Sequence, residues 1–135
     1  MIEKEKLQEL IAYSKTLKVL YVEDSLEARE QAMKLFNNFF TNMQIAVNGK
    51  EGLTKVNEND FDIIFTDLNM PVMNGLDMVK NIRLTNNDVS IIVISAHNEM
   101  SFQNDAKQHN IQKYAIKPVG LDMIIDILLD FKEKN

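Results

Sequence analysis

Short apolar runs alternate along this chain with longer stretches of helical periodicity. The runs are rich in β-branched or aromatic residues, as expected for parallel strands that are buried on both faces. They lie at residues 19–22, 43–47, 63–65, 91–94 and 114–116. Five such runs predict a parallel sheet with helices on both faces.

A helical pattern follows each apolar run. The predicted helices cover residues 26–40, 48–58, 76–84, 99–108 and 121–132. Ser25 and Asn48 stand where N-caps are expected. The predicted architecture is therefore a doubly wound α/β fold of (βα)5 type.

One more amphipathic stretch precedes the first strand. Leu7, Leu10, Ile11 and Ser14 fall at helical spacing, which predicts an additional helix over residues 3–14. A solvated extension without fixed structure is the alternative. We accordingly divide the chain into a helical extension at 1–16 and one domain at 17–135.

The last predicted helix carries more apolar surface than one sheet contact requires. Its side toward the sheet is predicted to hold Leu121, Ile124, Ile125, Leu128 and Leu129. Met123, Ile127 and Phe131 widen the apolar arc to roughly 240°. Because a second apolar surface is unusual in water, either the N-terminal helix or a second subunit is expected to cover it.

Composition narrows the classes of function. The 135 residues carry a formal net charge of -5, which disfavours nucleic acid as a partner because its phosphates are bound mostly by Lys and Arg. The chain has no cysteine, so it forms no disulfide or thiolate metal site, in agreement with a cytoplasmic location. No apolar run approaches the length of a signal peptide or a membrane span.

The residues that carry chemistry stand where the predicted strands end. In an open parallel sheet, functional groups collect outside the carboxyl ends of the strands. The polar residues at these ends are Glu23, Asp24, Asp67, Ser95 and Lys117. We therefore expect three carboxylates, a hydroxyl and an ammonium group to converge on one edge.

Three neighbouring carboxylates repel one another unless a cation lies between them. Mg²⁺ prefers oxygen ligands and combines a few carboxylates with waters and a phosphate. No His or Cys converges on the same edge, which disfavours zinc. The edge also offers Asp67 as a nucleophile that could form an aspartyl phosphate, with Lys117 and Ser95 placed to contact the phosphoryl oxygens.

Four motifs stand in order, each at the end of a predicted strand. They are Glu23-Asp24, the segment from Asp67 to Gly75 (DLNMPVMNG), Ser95-Ala96 and the segment from Tyr114 to Pro118 (YAIKP). Together they resemble the receiver domain of two-component response regulators. The resemblance covers about residues 17–131, and the size of the chain is similar to that of the stand-alone chemotaxis type. It implies a flavodoxin-like fold with strand order 2-1-3-4-5.

The resemblance also implies a role for each matching residue. Asp67 would be the phosphoacceptor and Lys117 would contact the phosphoryl group. Asp24, Asp67 and the Asn69 backbone carbonyl would bind Mg²⁺ directly, and Glu23 would act through water. The switch pair would be Ser95 and Tyr114, and the Lys117-Pro118 bond would be cis. His97, two residues beyond Ser95, could modulate hydrolysis.

The implied partners are a sensor histidine kinase or phosphotransfer protein and a downstream protein target. The target would bind the output face, which we define as the predicted helix at 99–108, the strand at 114–116 and the helix at 121–132. We expect no nucleic acid or membrane partner, and a monomer or weak homodimer. The sequence leaves open whether the chain is a complete protein or a fragment that lacks an output domain.

Other functions fit the sequence less well. Phosphatases with an aspartate nucleophile carry Asp-x-Asp after the first strand, whereas this chain has Glu23-Asp24-Ser25. A receiver that serves only as an interaction module would lack an acceptor, a metal ligand or the lysine, and none is missing here. A nucleotide or flavin site would need a glycine-rich loop after the first strand. We expect a signalling phosphoacceptor that catalyses only its own phosphoryl transfer and dephosphorylation.

Overall fold

The structure is a computed structural model that describes residues 2–96 and 107–135. Numbered in chain order over these residues, the helices are α1 (Lys4–Ser14), α2 (Leu26–Phe36), α3 (Gly49–Glu58), α4 (Gly75–Arg83) and α5 (Leu121–Lys134). The strands are β1 (Lys18–Val22), β2 (Asn42–Ala46), β3 (Ile63–Thr66), β4 (Ser90–Ser95) and β5 (Lys113–Ile116). In the two described ranges, no helix is long and apolar enough to cross a membrane.

All five strands form one parallel sheet in the order β2-β1-β3-β4-β5. This order confirms the predicted doubly wound α/β fold. β1 and β3 are neighbours, and Val22 pairs with Thr66 at their carboxyl ends. The residues that follow these strands, Glu23-Asp24 and Asp67, are therefore brought side by side.

Alternate strand residues contribute to two hydrophobic clusters, one on each face of the sheet. Val19, Tyr21, Ile63 and Phe65 pack with α1, α2 and α5 on one face. On the opposite face, Leu20, Val22, Ile64 and Ile91 pack with Met78, Val79 and Ile82 of α4. Burial on both faces explains why the strand segments are continuous apolar runs.

The expected N-caps are present, but one helix end was predicted wrongly. Ser25 accepts a hydrogen bond from the Ala28 amide and Asn48 accepts one from the Glu51 amide. The helix predicted at 26–40 ends at Phe36, because residues 37–39 form turns that direct Phe39 and Phe40 into the core. The helix predicted at 99–108 lies mostly outside the described residues.

The predicted N-terminal helix is present as α1, and it packs on α5. Leu10 is only 2% exposed within the cluster that also holds Ile124 and Leu128. The buried Ser14 hydroxyl lies 2.6 Å from the Phe39 carbonyl oxygen, which accepts its hydrogen bond. α1 thus shares a core with the rest of the chain.

The orientation of α5 differs from the prediction. Ile124, Ile127 and Leu128 are almost fully buried, whereas Leu121 and Leu129 remain 48% and 44% exposed. The sheet-facing assignment of Leu121 and Leu129 is therefore wrong. Ile127 lies with Phe131 beside Ile63 and Ile92 of the sheet, so the helix is rotated and its Leu121–Leu129 side faces the groove beside α1.

Candidate functional site

Three carboxylates meet at the carboxyl ends of β1 and β3. One carboxylate oxygen from each of Glu23, Asp24 and Asp67 lies within 4.8 Å of the other two. Glu23 and Asp67 are buried, with 1% and 9% exposed, while Asp24 is exposed. The trio is therefore anchored in the protein on one side and open to solvent on the other.

Lys117 joins two of these carboxylates from the end of β5. Its Nζ donates to Glu23 Oε1 at 2.5 Å and to Asp67 Oδ2 at 3.3 Å. Its backbone amide donates to the Ser95 carbonyl oxygen, which aligns the end of β5 with the end of β4. The Lys117-Pro118 peptide bond is cis.

The main chain and side chain of Glu23 are both held by the start of α2. The Ser25 amide donates to Glu23 Oε2 at 3.2 Å, and Arg29 Nη1 donates to the Glu23 carbonyl oxygen at 2.8 Å. Both carboxylate oxygens of Glu23 consequently have protein donors. Asp24 is the most accessible of the three acids.

The electrostatics of the pocket favour a protonated lysine. Burial raises the pKa of the Glu23 carboxyl, and the charge of Asp67 adds to that shift although the Lys117 hydrogen bond opposes it. Burial by itself lowers the pKa of Lys117, but its hydrogen bonds and the charges of Glu23 and Asp67 raise it by more. The net pKa of Lys117 is therefore above its ordinary value.

The loop after β3 fixes the position of Asp67. The Leu68 amide donates to Asp67 Oδ1 at 2.7 Å, and the Gly75 amide donates to the Leu68 carbonyl oxygen. A Cβ atom on Gly75 would lie 2.0 Å from the Asp67 carbonyl oxygen. Val72, in the same loop, has φ 71 and is 76% exposed. Gly75 therefore permits a close approach of α4 to Asp67 that no other residue would allow.

The remaining predicted residues lie at or near this edge. Ser95 is buried at the end of β4, opposite Ile116 of β5. Tyr114 lies opposite Val93 and packs, half-buried, against the cluster on the α4 side of the sheet. Asn69 is exposed two residues after Asp67. His97 lies outside the described residues.

Two contributors were missed by sequence reasoning. Arg29 was not singled out, although its place at the end of the first turn of α2, six residues after Glu23, is compatible with a contact back to Glu23. Gly75 was noted only as the end of the segment that begins at Asp67, because its close approach to the Asp67 backbone depends on where α4 docks. The pairing of Glu23 with Lys117 was also not foreseen.

The donor set determines what the site can do chemically. It offers only oxygen ligands from its acidic residues, which suits a hard divalent cation such as Mg²⁺. Asp67 has a carboxylate that can attack phosphorus, and Lys117 supplies a positive charge next to it. The residues therefore fit Mg²⁺-dependent phosphoryl transfer to an aspartate.

Comparison with known proteins identifies relatives for most of the chain. The family model for the response regulator receiver domain matches residues 19–129 of this chain. The chain is 32% identical over 108 residues to chemotaxis protein CheY-3 of Vibrio cholerae, covering 78% of this chain and 83% of that protein.

Other relatives differ in length or are known as structures. An uncharacterized response regulatory protein of Staphylococcus epidermidis is 30% identical over 118 residues, which cover 83% of this chain but 46% of that protein. The chain thus spans less than half of the length of that relative. The N-terminal domain of an uncharacterized protein from Wolinella succinogenes has the same fold, with a TM-score of 0.79 and 32% identity over 87% of this chain and 95% of the solved one.

Proposed function

This chain belongs to the response regulator receiver domain family, and we propose that it accepts a phosphoryl group on Asp67 from a histidine kinase or a phosphotransfer protein. The observation that carries this proposal is the meeting of Asp67 with Glu23, Asp24 and Lys117 in one pocket. The receiver domain comprises residues 17–135, and residues 1–16 are a helical extension attached to it.

The proposed reaction is a displacement at phosphorus. A carboxylate oxygen of Asp67 forms a bond to phosphorus while the bond between phosphorus and the donor's imidazole nitrogen breaks. The electron pair of the broken bond remains on that nitrogen. Asp67 is suited to this role because the Leu68 amide and Lys117 hold its carboxylate in one orientation.

A Mg²⁺ ion would be held by Asp24, Asp67 and the Asn69 backbone carbonyl, with Glu23 acting through water. When bound, the ion neutralises charge on the transferred phosphoryl group. Asp24 suits direct ligation because it is exposed at the mouth of the pocket. Glu23 suits an indirect role because both of its oxygens already accept hydrogen bonds from the protein.

Lys117 supplies a positive charge that pairs with the phosphoryl group after transfer. Before transfer it is shared between Glu23 and Asp67. After transfer, the oxygens of phosphorylated Asp67 are stronger acceptors than the free carboxylate. Lys117 then pairs with one of them, and the domain catalyses only its own phosphorylation and dephosphorylation.

We propose that Ser95 and Tyr114 couple phosphorylation of Asp67 to a conformational change of the output face. Ser95 donates a hydrogen bond to a phosphoryl oxygen, and Tyr114 rotates inward, which changes the output face for a protein target. Supporting this route, Ser95 ends β4 while Tyr114 lies on the adjacent β5. A monomer or weak homodimer is the proposed assembly.

Phosphorylation by acetyl phosphate and Mg²⁺, followed by intact-protein mass spectrometry, tests the acceptor. We expect one phosphoryl group on the unmodified chain and none on Asp67→Asn. The matched control is Asp60→Asn, which changes an exposed aspartate before β3 and should leave the uptake unchanged. Undiminished uptake by Asp67→Asn would contradict the assignment.

A beryllofluoride complex tests the switch separately. We expect the NMR signals of the Tyr114 ring to shift when beryllofluoride and Mg²⁺ are added together, while those of Tyr13 on α1 stay in place. A Tyr114 rotamer that is the same with and without the mimic would refute this route but leave Asp67 as the acceptor.

A further inference from the structure

The extra N-terminal helix creates a groove that the five-stranded core alone would not have. A groove of about 1140 Å³ lies between α1 and α5. Its apolar lining residues are Ile2, Leu7, Leu10, Leu121, Ile125 and Leu129. None of these residues belongs to the acidic pocket around Asp67.

The two helices are joined firmly toward their carboxyl ends. The rings of Tyr13 and Phe131 lie 6.5 Å apart, and Lys132 Nζ lies 5.3 Å from the centre of the Tyr13 ring. The Ser14 hydroxyl also donates to the Phe39 carbonyl oxygen, which fixes the same end of α1 to the turn after α2. The ring contacts of Tyr13 therefore hold α1 against α5, yet α1 does not cover Leu121 and Leu129 in the groove.

The apolar residues that α5 contributes to the groove repeat with helical spacing. Leu121, Ile125 and Leu129 are four residues apart and form one stripe, in which Ile125 is buried at the base. The two leucines of this stripe are 48% and 44% exposed. Across the groove, Leu7 of α1 is half-buried. The groove-lining faces of α1 and α5 are therefore complementary to the apolar stripe of a third helix lying between them.

The charged side chains at the rim of the groove favour one kind of binding partner. Four rim side chains are acidic and two are basic, namely Glu3, Glu9, Asp122, Asp126, Lys6 and Lys132. A second copy of the chain would bring the same acidic excess and a net charge of -5, so like charges would oppose it. A helix with Lys or Arg beside its apolar stripe would meet complementary charge.

From this geometry we propose that the α1–α5 groove binds an amphipathic helix of a partner protein, with Leu, Ile or Met on its apolar face and basic residues at its flanks. The groove begins at Leu121, four residues after Lys117 and directly after the loop that connects the acidic pocket to α5. A helix bound there contacts the element that follows the phosphoryl-binding lysine. Binding itself does not require phosphorylation.

Two synthetic helical peptides test the groove. Both have about four turns and the same leucine stripe, but one carries Lys and the other Glu at the flanking positions. Each is titrated into the full, unphosphorylated chain while the leucine and isoleucine methyl signals are followed by NMR. We expect the Lys peptide to shift Leu7, Leu121 and Leu129, to bind more weakly at high salt, and to outcompete the Glu peptide.

Matched variants locate the binding. Leu129→Gln should weaken binding of the Lys peptide by at least about fivefold. Leu84→Gln, at the C-cap of α4 where Leu84 is 80% exposed, should not. Asp126→Asn should also weaken binding of the Lys peptide, whereas the control Asp77→Asn on α4 should not.

Equal binding of both peptides, shifts centred elsewhere, or an unaffected Leu129→Gln would overturn the proposal. Self-association of the chain in sedimentation equilibrium that Leu129→Gln abolishes would also overturn it, since the occupant would then be a second copy. Because no phosphodonor is present, these outcomes are independent of phosphorylation at Asp67.

Discussion

At the residue scale, Lys117 balances the negative charges of Glu23 and Asp67. Lys117 is 2.5 Å from Glu23 and 3.3 Å from Asp67. Glu23 is buried and close to Asp67, so its negative charge is poorly solvated even though Lys117 offsets part of the cost. The lysine therefore lies between two acids whose mutual repulsion it relieves.

This balance predicts a pH dependence of stability. Because the folded pKa of Glu23 is raised above its ordinary 4.5, the folded chain holds this proton more tightly than the unfolded chain. The contribution of Glu23 to the free energy of unfolding is therefore greatest below pH 4.5 and falls as the pH rises through the folded pKa.

We expect the unmodified chain to lose stability relative to Glu23→Gln as the pH is raised from about 4 toward 7. Urea unfolding of both proteins in metal-free buffer measures the difference at each pH. A difference that moves in the opposite direction would show that the Lys117 hydrogen bond outweighs burial.

Gly75 provides a second prediction at this scale. Gly75→Ala places a methyl group against the carbonyl oxygen of Asp67, so we expect a loss of about 1–3 kcal/mol in the free energy of unfolding and slower phosphorylation. Gly120→Ala is the control, since a Cβ there would have no atom within 4 Å. Equal effects of the two substitutions would argue against the close approach.

At the element scale, caps and periodicity predicted the helices and strands within residues 2–96 and 107–135 to within two residues, apart from the end of α2. There two phenylalanines extend the apolar pattern past the helix. Phe39 and Phe40 are buried from a turn instead, and both rings lie in a cluster with Phe36. An apolar pattern thus indicates which side chains are buried, but it does not show whether a helix or a turn buries them.

α1 is expected to be part of the folded core. Leu10→Ala should reduce the free energy of unfolding by about 2–5 kcal/mol, because Leu10 is almost fully buried between α1 and the rest of the cluster. Leu84→Ala, at the C-cap of α4, serves as the control and should have little effect, since Leu84 is 80% exposed. Similar denaturation midpoints for Leu10→Ala and the unmodified chain would mean that α1 detaches readily.

At the scale of the whole molecule, three strands of the sheet place the acidic residues and Lys117 together. The carboxylates follow β1 and β3 at its centre, and Lys117 follows β5 at its edge. A ligand that binds only this folded arrangement stabilises the entire chain by mass action.

We therefore expect Mg²⁺ to raise the melting temperature of the chain, with about 2.7 kcal/mol of stabilisation at a concentration one hundred times the Kd. Asp24→Asn should lose most of this shift because it removes the most accessible of the three carboxylates that could bind the ion. Asp60→Asn should retain it. A full Mg²⁺-dependent shift of the melting temperature in Asp24→Asn would show that Mg²⁺ binds elsewhere than at Glu23-Asp24.

The sequence by itself determined the fold class and the edge of the sheet at which the candidate site lies. Periodicity is local, so buried strands and amphipathic helices are visible in short windows. Once a parallel sheet is inferred, the carboxyl ends of its strands must lie at one edge. That rule places the residues after these ends close together, namely Glu23, Asp24, Asp67 and Lys117. The resemblance to receiver domains supplied the strand order, which the structure confirms.

Only the tertiary structure decided which partners these elements take. Lys117 and Glu23 are separated by 94 positions, and their contact depends on how β5 and β1 are placed through the strands between them. The rotation of α5 was likewise decided by packing, because its apolar arc is wide enough to permit more than one orientation on the sheet. Ile127 was buried rather than Leu121 and Leu129, and with α1 beside it this rotation left the groove that the sequence pattern did not reveal.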